Sequence, residues 1–170
     1  MSFKTLIVSS LIAIVVAHSS MAHAQSIMSQ INAANAAGED VAALVTKILN
    51  EASPEELDRA VATAVVTVAQ MDSATASQII ANVINQVDTA IAVKVLAAVS
   101  FIAPKTSLDI EEILAAIQAT VTDPVKMAAL LDAGEDPASI IDVEATTFSI
   151  AAGFSSSVYS GVPGYSDQLK

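Results

Sequence analysis

Ser53-Pro54-Glu55-Glu56-Leu57-Asp58-Arg59-Ala60-Val61-Ala62-Thr63-Ala64-Val65-Val66-Thr67-Val68 is the stretch on which the fold turns. Its second half is rich in β-branched residues, and by propensity alone Ala60 to Val68 would pass for a strand. Its first half argues the other way. Ser53 stands where an N-cap belongs, Pro54 at the first helical position and Glu56 at the third, so the serine and glutamate can satisfy orphan backbone N–H groups reciprocally. Leu57, Ala60, Val61, Ala64, Val65 and Val68 then keep the spacing of one helix face. The stretch therefore reads as a helix, and a hydrophobic one that would be an aggregation hazard if left exposed.

Outward from it the same grammar recurs. Val41, Leu44, Val45, Ile48 and Leu49 form a stripe after Gly38; Ile79, Ile80, Val83, Ile84 and Val87 form another; Ile91, Val95, Leu96 and Val99 a third. Ile110, Ile113, Leu114, Ile117 and Val121 follow, then Met127, Leu130 and Leu131, then Ile140, Ile141, Ala145 and Phe148. Asp123-Pro124 and Asp136-Pro137 combine a cap with proline, and Thr106-Ser107-Leu108-Asp109 supplies a further start with an acid in the first turn. Starts near Ser53, Asp88 and Asp123 are evenly spaced, as are those near Asp72 and Ser107. Such spacing suits stacked two-helix units, although no tetratricopeptide-type signature accompanies it. The fold expected is all-α: an antiparallel helical bundle or a short solenoid-like array of α-hairpins, with six to seven helices.

The chain begins with Lys4 and an apolar run from Leu6 to Ala17, too short to span a bilayer, followed by Ala22-His23-Ala24. This reads as a cleavable secretory signal peptide, residues 1–24, ahead of a helical domain, 25–153, and a flexible tail, 154–170. Export to the periplasm or beyond the cell is the corresponding expectation. Cleavage after Ala24 removes both histidines, His18 and His23, and the chain has no cysteine and no tryptophan.

That loss narrows the chemistry. Without His or Cys the remaining chain builds neither a Ser-His-Asp triad nor a Cys-His pair, nor the usual zinc site. Glu111 and Glu112, or Glu55 and Asp58, are paired carboxylates, but each sits where acids serve a helix dipole. Glu55 and Arg59 read as an i,i+4 surface pair. The loop Asp132-Ala133-Gly134-Glu135-Asp136 lacks the ligand spacing of an EF-hand. The expectation is a protein that is not an enzyme and has no cofactor and no metal.

The balance of 7 basic against 18 acidic residues gives a formal net charge of −11. A surface of that sign repels phosphate backbones and anionic lipid, so neither nucleic acid nor membrane is an expected partner, and no stable membrane anchor remains after cleavage. After Gly153 helical spacing is lost and Pro163-Gly164 marks a turn. Aromatic residues, scarce elsewhere, gather towards this end: Phe148, Phe154, Tyr159 and Tyr165 are the candidate partner-docking residues. The reading is an exported interaction or structural protein of the bacterial envelope or extracellular space, binding a protein partner or itself. Its alternative is a carrier of a small apolar ligand held between helices.

Overall fold

The computed structural model describes residues 23–106, 108–135 and 137–141, with Gly134 and Glu135 described by their backbone alone. All the regular structure among them is helical. Helix α1 occupies 23–37, followed by α2 (Val41–Glu51), α3 (Leu57–Val68), α4 (Ser73–Gln86) and α5 (Thr89–Ile102). A 3-10 turn, Ala103–Lys105, leads to α6 (Ile110–Thr120) and α7 (Pro124–Glu135), and a second, Pro137–Ser139, follows.

Aspartate is the start signal of α2 and of α4 to α7. The side chains of Asp40, Asp72, Asp88 and Asp109 each accept a backbone N–H from the first turn of α2, α4, α5 and α6, and Asp123 does the same for Val125 at α7. Each cap satisfies a donor that the helix cannot use internally and places a negative charge at the positive end of its dipole. Two expected starts shift. Helix α3 begins at Leu57, because Pro54 to Glu56 form a turn in front of it; the expected reciprocal capping box does not form, and Ser53 Oγ instead donates to the Glu56 side chain, at Oε2, at 2.9 Å. The start expected near Ser107 falls at Asp109, and Thr106 spends its hydroxyl on the Ile102 and Ala103 carbonyls at the end of α5.

Helix α1 carries an apolar face that the stripes above did not include: Ala24, Ile27, Met28, Ile31 and Ala34 are all buried. The Ala24–Gln25 bond, where cleavage is expected, lies within this helix. Gly38 ends it with φ +71°, its N–H donating to the Asn35 carbonyl while Glu39 N–H reaches Ala34. This is a Schellman closure, and glycine accepts the left-handed conformation without a Cβ penalty.

Helices stack on the next but one. In one row α2 packs on α4 and α4 on α6; in the other α3 packs on α5 and α5 on α7. Side-chain contacts show that the members of a row run parallel. Ser73, the first residue of α4, donates to Glu112 near the start of α6, and Asp58 near the start of α3 pairs with Lys94 of α5. The consecutive helices from α2 to α5 also pack on one another across short connections, so this part of the chain is a series of α-hairpins laid side by side.

The second row holds the centre of the core. Every residue from Ala60 to Ala69 is buried, so α3 is enclosed around its whole circumference. The β-branched run is thereby kept from edge-to-edge pairing by tertiary enclosure. Helix α5 is nearly as enclosed, with Ile91, Ala92, Val95 to Val99 and Ile102 buried. Its alanines let neighbouring helices approach closely.

Candidate functional site

Phe148, Phe154, Tyr159 and Tyr165, the four aromatics expected to dock a partner, lie outside the described residues, as do residues 1–22 of the expected leader. The candidate surface has to be built from the outward faces of the array.

Along the first row those faces are polar or small. Helix α2 exposes Ala43, Lys47 and Asn50; α4 exposes Thr75, Gln78 and Asn85; α6 exposes Glu111, Glu112 and Gln118. Glu112 is held by Ser73, and the acids of α6 stand in its first turn, where they complement the dipole. The Glu55–Arg59 pair does not form: Glu55 lies in the turn before α3 and so off the regular helical register. The ion pair at this end of the helix joins Asp58 to Lys94 of α5 instead. Among the described residues, no three His, Asp or Glu side chains come together as a metal-holding group, and no helix is long and apolar enough to cross a membrane.

A groove of about 620 Å³ opens to solvent where α5 passes into α6. Ala103, Pro104, Leu108 and Ile110 give it an apolar floor, and Asp109 and Glu111 supply carboxylates. Beside it the Lys105 ammonium sits 3.7 Å from the centre of the Phe101 ring, a cation–π contact that holds the half-buried aromatic in place.

Helix α7 departs from the rest. The stripe Met127, Leu130 and Leu131, expected to face the core, is split: Leu130 is buried and Met127 half-buried, whereas Leu131 is 56% exposed and Val125 73% exposed. In their place the first turn of α7 turns Lys126 inward. Its ammonium is buried and donates to the main-chain carbonyls of Asn85, at 3.1 Å, and Val87, at 2.6 Å. Desolvation lowers its pKa from the ordinary lysine value, with Asp123 and Asp88 pulling it back up. Helix α7 is thus rotated so that a lysine reaches the end of α4, and that rotation carries Val125 and Leu131 to the outside. A pattern reading assigns lysine to solvent, so this arrangement was missed; the sequence signal for it was that α7 is apolar on more than one face.

Compared with protein-family models, curated proteins and solved structures, the chain matches none. The class that the structure defines is therefore architectural, an all-α, two-row array of helical hairpins.

Proposed function

We propose that this protein is an exported, non-enzymatic helical interaction module of the bacterial envelope or extracellular space, which engages a protein partner through the aromatic residues of its C-terminal segment. The observation that carries the reading is the parallel stacking of every second helix, the construction used for extended binding scaffolds. Such a scaffold presents side chains along its rows, and here those of the first row are amides, small residues, Lys47 and the first-turn acids of α6. The carrier alternative calls for an enclosed apolar cavity. The groove between α5 and α6 is open and has carboxylates in its wall, which favours a contact surface over a ligand store.

The test is capture by the purified protein from envelope and secreted fractions, comparing the whole chain with one lacking residues 154–170, together with native mass spectrometry. Reduced capture with unchanged helical circular dichroism is the expected result. Capture that does not depend on residues 154–170 overturns the docking role, and a co-purifying lipid-like mass moves the reading to the carrier.

A further inference from the structure

Helix α3 is held in a conformation that its own residues do not favour. Six of the ten residues from Ala60 to Ala69 are β-branched, the other four are alanines, and the run contains no charge, glycine or proline. Among α2 to α7 it is the one helix without a side-chain cap at its start. Thr67 Oγ1 donates to the Thr63 carbonyl at 2.7 Å, a back-bond that slightly weakens a helix. Helix α5 is also apolar, but Asp88 caps it and Lys94 interrupts its apolar run. What keeps α3 helical is its surroundings. It packs on α2, α4 and α5, and every residue from Ala60 to Ala69 is buried. Local preference and tertiary enclosure conflict here, and in the folded chain enclosure wins.

We propose that residues 60–69 are a latent self-association segment, which converts to a strand and pairs with the same residues of a second copy of this chain when the hairpin array opens. A window of this length, high in β-propensity and free of charge and proline, has the composition of a cross-β core, in which identical segments stack and bury identical side chains against one another. Charges flank it as gatekeepers, Asp58 and Arg59 before and Asp72 after. Opening of the array is the gate, because the folded chain exposes no residue between Ala60 and Ala69 to a partner. The net charge of −11 opposes the approach of two copies, so added salt favours the pairing. The segment acts in this way irrespective of export and of any partner of the C-terminal residues.

The full chain is incubated with salt at a urea concentration where a minority of molecules is unfolded, and two variants that both loosen the fold are compared with it. Leu96→Ala opens the array without touching the segment, so it should shorten the lag before assembly several-fold. Val66→Lys populates the open state too, yet it puts a charge inside the segment and should lengthen the lag several-fold or abolish assembly. Any other ordering of the three chains overturns the proposal. Assemblies of the native chain should diffract with a meridional spacing of about 4.7 Å. Their protease-resistant core, read by mass spectrometry, should contain residues 60–69. Amorphous aggregates, no assembly, or a core that leaves these residues out overturns the assignment.

Discussion

Lys126 Nζ donates to the carbonyl oxygen of Val87 at 2.6 Å, so a side chain from the first turn of α7 closes the end of α4 exactly where the chain turns into α5. A second donation, to Asn85, satisfies another carbonyl that α4 cannot bond within itself. One residue thus ties the last helix of one row to a hairpin junction between the rows.

Lys126→Met keeps the apolar stem and removes the donor. With two carbonyls left short of a partner in a buried setting, the variant should lose about 1–3 kcal/mol of stability. Urea unfolding followed by far-ultraviolet circular dichroism measures it, and an unchanged midpoint would show that water replaces the ammonium without cost.

The same lysine sets a pH dependence. Burial holds its folded pKa below the unfolded value of 10.5. Between those two values the unfolded chain binds the proton and the folded chain does not, so this residue's contribution to stability rises with pH across that window. Urea midpoints of the native chain relative to Lys126→Met should therefore increase on the alkaline side, up to about pH 10.5. A flat difference would remove desolvation as the cause.

Asp72 gives the opposite limb. Its hydrogen bonds with the side chain and backbone N–H of Thr75 hold the carboxyl below the ordinary aspartate value of 3.8. The unfolded chain takes up the proton first as the solution is acidified. The contribution of Asp72 is thus full above the unfolded value and is lost as pH falls through the folded one. Asp72→Asn keeps an acceptor for Thr75 but no charge, so the gap in thermal midpoint between native chain and variant should narrow on acidification from about pH 6 to about pH 2. A constant gap would assign the cap to hydrogen bonding alone.

Leu96 is 1% exposed at the middle of α5, between neighbours from both rows. Leu96→Ala should cost about 2–5 kcal/mol, the range for a buried leucine whose surroundings relax only in part. Chemical denaturation decides it. A cost below about 1 kcal/mol would mean that the alanine-rich helices around it close the space.

Much of this fold was already written in local chemistry. Helix existence followed from the 3.6-residue recurrence of Ala, Val, Ile and Leu, and the starts at Asp72, Asp88 and Asp123 from caps that act within three residues of chain. Even the β-branched run of α3 was readable, because Ser53 and Glu56 bias its entry. Helix α1 falls largely within the helical domain expected from residue 25, but its apolar stripe went unassigned, although Ile27, Ile31 and Ala34 keep the period. Its neighbourhood reads first as the end of an export signal.

What the sequence by itself determined, then, is where helices form and which acids begin them, since both depend on contacts a turn or less apart. Only the tertiary structure decided that α3 is enclosed on all sides from Ala60 on, that α5 is nearly so, and that alternate helices stack in rows. It alone turned Lys126 inward and left Val125 and Leu131 outside. Those outcomes depend on which helix lies beside which. A side chain's cost of burial is set by partners that, for Lys126, stand 39 and 41 residues away.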